Sequence, residues 1–204
     1  MYIPNKDEFL KGIKEYRKYE KRDSMYKVAT FLVSHFWGKF ADMADGLGVI
    51  LLTWNQAFYR YGLLDFDKLE LFLKDNFTDI EYFRKRNIFS FEVNDYDKIK
   101  NLFNKLLIAT GINSDKPGSK TSPVSVAKSL HILCPEFFPI WDTKIAKKYG
   151  YNYLANPSRK YLEFSRDLKE LASKIKDYEG YPSDRSLIKL IDEYNYSKYT
   201  KGWI

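Results

Sequence analysis

Along most of the chain, apolar residues recur at the three- and four-residue spacing of amphipathic helices, and no stretch alternates convincingly as a strand. Asp7 to about Lys21 carries Phe9, Leu10, Ile13 and Tyr16 on one stripe. Ser24 is placed to cap a second helix with Val28, Phe31, Leu32, His35 and Phe36 facing inward. Gly46 and Gly48 then interrupt the pattern, and Val49 to Tyr61 reads as a strongly buried helix ending near Gly62. Asp65 or Asp67 opens another helix through Leu69, Phe72 and Leu73, and Thr78 caps a short one containing Ile80, Phe83 and Arg84. From Asn94 or Asp95 a longer helix sets Ile99, Leu102, Phe103, Leu106 and Leu107 at core spacing, stopped by Gly111.

Ile112 to Thr121 is polar, holds Pro117 and Gly118, and reads as a loop. Ser122-Pro123 gives an N-cap with proline at the first helical position, and the helix continues through Val126, Leu130 and Leu133. Pro135 and Pro139 bracket an extended connection, after which Asp142 caps a short helix from Thr143 to Tyr149, ended by Gly150. Asn156-Pro157 or Ser158 starts a long polar helix to about Tyr178, and Ser183 or Asp184 opens a last one through Leu187, Leu190, Ile191 and Tyr194. The expectation is an all-α fold, either one helical domain or two closely packed lobes. In the second case residues 48–111 form a central lobe, and 1–47 with 112–204 form another, carrying a hairpin-like segment at 112–133 and Asp142.

Composition adds limits. With 204 residues, 45% hydrophobic and 18% aromatic, the chain is long and apolar enough to bury a sizeable core. Its formal charge of +7 is compatible with a polyanionic partner without requiring one. Cys134 is the single cysteine, so an intramolecular disulfide and a four-cysteine cluster are both excluded, and its apolar neighbours suit a small buried side chain. The segment MYIPNKDEFLKG lacks the apolar core of a signal peptide, and the longest apolar run, Val49 to Leu52, is too short to span a bilayer, so a cytoplasmic location with no membrane partner is expected. His35 and His131, the only histidines, lie on apolar helices without acidic or cysteine ligands at regular offsets, so no metal or other cofactor is expected.

The chemistry concentrates between Lys120 and Gly150. Two helix starts, at Ser122 and Asp142, present unpaired N–H groups, and the first is flanked by Lys116 and Lys120. Asp142 follows apolar Phe137, Phe138, Pro139, Ile140 and Trp141. It either caps a helix and does no more, or stands at the wall of a partly dry pocket. Asn55 and Gln56, beside a buried apolar run, suit either an interhelical hydrogen bond or contact with a ligand. The basic triplet Arg84-Lys85-Arg86 suits a solvated helix end or a phosphate contact.

The order of helix, hairpin-like turn, helix, connection and capping aspartate resembles the helix-hairpin-helix DNA glycosylases. FPIWD (Phe138 to Asp142) is similar to the segment carrying the essential aspartate in adenine-specific mismatch glycosylases and endonuclease III-like enzymes. VILLTWNQ (Val49 to Gln56), EYFRKRN (Glu81 to Asn87) and DKIKNL (Asp97 to Leu102) follow the family's order upstream. The hairpin departs from the family: PGSK (Pro117 to Lys120) and the following Thr121-Ser122-Pro123 hold a single glycine. The position of the imine-forming lysine of bifunctional members falls at Pro123 or Val124, with Lys120 farther upstream of Asp142 and Lys128 nearer.

The resemblance implies a monofunctional base-excision glycosylase acting on duplex DNA, with Asp142 as catalytic carboxylate and Lys120 a weaker candidate. It implies backbone contacts from Lys116, Gly118, Ser119, Lys120, Thr121 and Ser122. A flipped base would be received among Trp54, Asn55, Gln56, Tyr59 and Trp141, with Phe58 nearby. For Trp54, Phe58, Tyr59 and Trp141 core packing is the first reading, since aromatic residues at helical spacing are usually interior. A non-catalytic nucleic-acid-binding member and a helical protein-interaction domain are the alternatives.

Overall fold

A computed structural model describes residues 2–112, 120–152 and 154–204. Among these, ten α-helices make up most of the regular structure: α1 (Lys6–Tyr19), α2 (Asp23–His35), α3 (Phe40–Trp54), α4 (Gln56–Tyr59), α5 (Phe66–Arg84), α6 (Tyr96–Ala109), α7 (Pro123–Leu133), α8 (Thr143–Lys148), α9 (Pro157–Ile175) and α10 (Leu187–Asn195). The chain is all-α among the described residues, with extended pairing confined to isolated bridges at Leu64, Ile112 and Lys120. No helix among them is long and apolar enough to cross a membrane.

Side-chain caps fix five of the ten helix starts. Asn5, Asp65, Ser122, Asp142 and Ser186 each accept a hydrogen bond from the backbone N–H three residues on, satisfying one of the donors a helix start leaves open. Pro123 and Pro157 occupy first-turn positions where a missing N–H costs nothing.

The apolar residues form one continuous core that reaches from Phe9 on α1 to Tyr194 on α10. At its centre α7 is buried on every side, including Ser125, Lys128, Ser129 and His131. Helices α2, α3, α6 and α9 pack against α7, α5 packs on α3 and α6, α9 also meets α6 and α10, and α10 pairs with α1. A π-helical turn at Tyr196–Lys201 follows α10 and lies against α1 and α8.

Several expectations need correction. The expected boundary at residue 48 falls inside α3, because Gly46 and Gly48 do not interrupt a helix: they let neighbours approach it. A Cβ at Gly46 would stand 2.8 Å from Val33 Cγ2, and one at Gly48 would stand 2.4 Å from the Phe66 ring. The buried helix expected over Val49 to Tyr61 breaks at Asn55 into the end of α3 and the short α4. Thr78 starts nothing, since α5 runs unbroken from Phe66 to Arg84. On α2 the inward face is Tyr26, Ala29 and Val33, and Phe31 is 63% exposed. The final helix starts at the Ser186 cap, later than Ser183 or Asp184.

Candidate functional site

A cleft of about 530 Å³ opens between the start of α2, the end of α3, the start of α7, the start of α8 and the π-helical turn. Its walls include Trp54, Asn55 and Phe58 on one side, Thr121, Ser122 and Lys128 from the α7 region, and Asp142, Asp192, Tyr196 and Thr200 opposite. Ahead of α7, Ile112 and Lys120 are joined by a reciprocal backbone pair. The Ile112 N–H donates to the Lys120 carbonyl at 3.0 Å, and the Lys120 N–H donates back at 3.1 Å.

Asp142 lies half-buried on the cleft wall. One oxygen accepts the Ile145 N–H at 2.7 Å as the cap of α8, and the other accepts the Thr200 hydroxyl at 2.6 Å. Both roles weighed for this residue therefore coexist: it caps a helix and it faces a cleft.

Asn55 Nδ2 donates to Ser125 Oγ at 2.6 Å and to Ser122 Oγ at 3.1 Å, tying the end of α3 to the start of α7. The interhelical bond is thus present, and the side chain still lines the cleft. Trp54 is held rigidly, its indole N–H donating to the Arg22 carbonyl at 2.8 Å and its ring stacked on Tyr26.

The remaining expected positions divide. Thr121 and Ser122 line the cleft. Lys120 is exposed outside the lining and sets its amine 5.0 Å from the centre of the Tyr61 ring, so it stands away from Asp142's cleft. Gln56 is exposed on α4 and also outside the lining. Tyr59 is a core residue, because its hydroxyl donates to the Thr110 carbonyl at 2.9 Å and contacts Ser125. Trp141 is 0% exposed, ringed by Phe103, Tyr161 and Phe164, with its indole N–H on the Pro123 carbonyl at 3.1 Å. Both belong to the core, as aromatic residues at helical spacing commonly do. Lys116, Gly118 and Ser119 lie outside the described residues.

The Arg84-Lys85-Arg86 triplet is committed to the protein itself. Arg84 donates to the Leu133 carbonyl and packs over Trp37, Lys85 pairs with Glu81, and Arg86 pairs with Asp95. Among the described residues no cluster of His, Cys, Asp and Glu could hold a metal. The tyrosine-rich C-terminal segment packs back on α1, with Tyr196 against Tyr16 and Trp203 against Tyr19.

Sequence reasoning passed over two groups. Lys128 is 7% exposed, lines the cleft, and donates to the Trp54 carbonyl at 2.6 Å, as a cation at the C-terminal end of α3 does well. Burial pushes its amine down to about 8, against the opposing pull of the Asp142 and Asp192 charges. Beneath the cleft, Lys189 is wholly buried and pairs with Asp192 at 2.7 Å, while burial holds the Asp192 carboxyl above its ordinary range. The available signal was a lysine in a helix with apolar residues on all sides, since such a helix is interior and a charge in it needs a purpose.

Compared with protein-family models, with curated proteins and with solved structures, the chain matches none.

Proposed function

We propose that the chain is a DNA-binding, monofunctional base-excision glycosylase that hydrolyses the N-glycosidic bond of a damaged or mispaired base. The observation that carries this reading is Asp142, a helix-capping carboxylate that faces a cleft immediately beside the α6–α7 connection. Base and sugar would be drawn out of the duplex, the base lying against the ring surfaces of Trp54 and Phe58. As the base departs, positive charge grows on the sugar. A carboxylate in a partly desolvated wall stabilises that charge far more than it would in water. The formal charge of +7 suits a phosphate backbone approaching the cleft mouth. The test incubates the chain with duplexes carrying single uracil, hypoxanthine, 8-oxoguanine or alkylated bases and measures abasic sites. Activity that survives Asp142→Asn, or a whole panel without abasic sites, overturns the reading.

A second reading is a nucleic-acid-binding protein without catalysis. It is favoured by the hydrogen bonds that already occupy both oxygens of Asp142. It gives binding that weakens steeply with salt and releases no base.

A further inference from the structure

The charged groups around the cleft sort into those that are ion-paired and those that are not. Glu20 and Arg22 pair at 2.9 Å, and Asp192 pairs with Lys189. Lys128, Asp142 and the exposed Lys144 have no ion-pair partner among the described residues, and of the three Lys128 alone is buried. The Asp142 and Asp192 charges act on Lys128 without touching it, and a buried ammonium with no counter-ion in contact is held at a cost. Capping α3 accounts for one of its three N–H donors, through the Trp54 carbonyl, and leaves two. Those two lie in a cleft with aromatic surfaces and a volume suited to a nucleoside.

We infer that the cleft selects an oxopurine, with Lys128 donating to the acceptor edge of the base while Asp142 faces the sugar. This rests on the glycosylase reading above. A guanine- or hypoxanthine-type purine presents two acceptors, O6 and N7, along one edge, which is the pattern a lysine ammonium reads. Adenine places the N6 amino donor there and sets donor against donor. The arrangement also matches the charge separation of the reaction. When the C1′–N9 bond breaks, its electron pair goes to the purine beside Lys128, and the positive charge develops beside Asp142. Water supplies hydroxide to C1′, and its proton ends on the purine, so no other reactant is needed.

Single-turnover release by the full chain from duplexes carrying hypoxanthine, 8-oxoguanine, mispaired adenine or uracil provides the test. It is run beside calorimetric binding of free hypoxanthine and free adenine. The expected result is release of hypoxanthine, the base in the panel that keeps both O6 and N7 as acceptors, at least about tenfold faster than adenine, the low end of what a good base contact discriminates. Lys128→Met should erase that preference and Lys128→Arg should keep it. Equal or faster adenine release overturns the inference and leaves the glycosylase reading standing. No release from any duplex, with hypoxanthine still bound tighter than adenine, overturns the glycosylase reading and upholds the oxopurine pocket. No release and no preference between the free bases overturns both. Because the ratio is measured on the unaltered chain, a poorly folded Lys128→Met protein does not decide the outcome.

Discussion

Thr200 Oγ donates to Asp142 at 2.6 Å, so the cap of α8 is anchored by a residue of the π-helical turn that follows α10. Asparagine caps helices as well as aspartate and still accepts the Ile145 N–H, so Asp142→Asn should leave Tm within a few degrees of the parent. On the proposed glycosylase reading, base release should fall by about 10²–10³, the usual loss when an electrostatic stabiliser of the transition state is removed. Thr200→Val removes the anchor and keeps the charge, so its loss of release should be smaller than that of Asp142→Asn. Single-turnover rates and thermal melts on the same preparations check both. A larger loss at Thr200 than at Asp142 would move the chemistry elsewhere.

Acid should destabilise the fold through His131. Burial pushes its imidazole from 6.5 down to about 3, and Lys189 adds to the effect. Its Nδ1–H donates to the Phe138 carbonyl at 2.8 Å, which leaves Nε2 to accept the Tyr26 hydroxyl at 3.0 Å, so the ring is neutral in the fold. Between pH 6.5 and about 3 the unfolded chain binds a proton that the folded chain refuses. Stability from this group is therefore whole above pH 6.5 and falls as pH drops through that window, by up to about 1.4 kcal/mol per unit. Urea titrations from pH 7.5 to 4.5 measure the slope. His131→Gln, which can keep both hydrogen bonds, should flatten it by about one proton. An unchanged slope would mean that the acid sensitivity lies elsewhere.

Gly46 and Gly48 should respond differently to a methyl group. At Gly46 the added carbon meets Val33 Cγ2, Leu32 Cβ and the Val33 backbone nitrogen, so α2 itself must move. Gly46→Ala should cost about 1–3 kcal/mol as overpacking. At Gly48 the obstacle is the Phe66 ring, which is 37% exposed and free to swing, so Gly48→Ala should cost less. Denaturant midpoints rank the two, and the reverse order would contradict the close packing of α2 on α3.

Asn55 should matter to stability before it matters to chemistry. Each serine it holds keeps another partner: Ser122 caps the Ser125 N–H, and Ser125 contacts the Tyr59 hydroxyl. Asn55→Ala should therefore cost only about 1–2 kcal/mol. Calorimetric unfolding reads this directly, and a neutral substitution would show that the α3–α7 link does not hold the cleft wall.

The helix starts were legible because capping is local: Asp65, Ser122 and Asp142 announce themselves within three residues. The inward face of α2 was not, since Phe31 and Val28 are as apolar as Tyr26 and Val33, and only the position of α3 decides between the faces. Glycine misled for the same reason: at 46 and 48 it answers to neighbouring helices rather than to its own backbone. In the cleft, Asp142 and Asn55 could be picked out beside apolar runs, whereas Lys128 passed for part of a helix body. Its significance arises from the end of α3, distant in the chain and adjacent in space.

The cleft draws one wall from Tyr16 and Glu20 and another from Tyr196 and Thr200. A ribosome-bound chain that has not yet delivered residue 200 can bury much of its core but has no finished cleft, and Asp142 lacks its anchor. Competence and completion therefore coincide: a prematurely terminated chain that ends before the π-helical turn lacks the Tyr196 and Thr200 wall and has no formed site to act with.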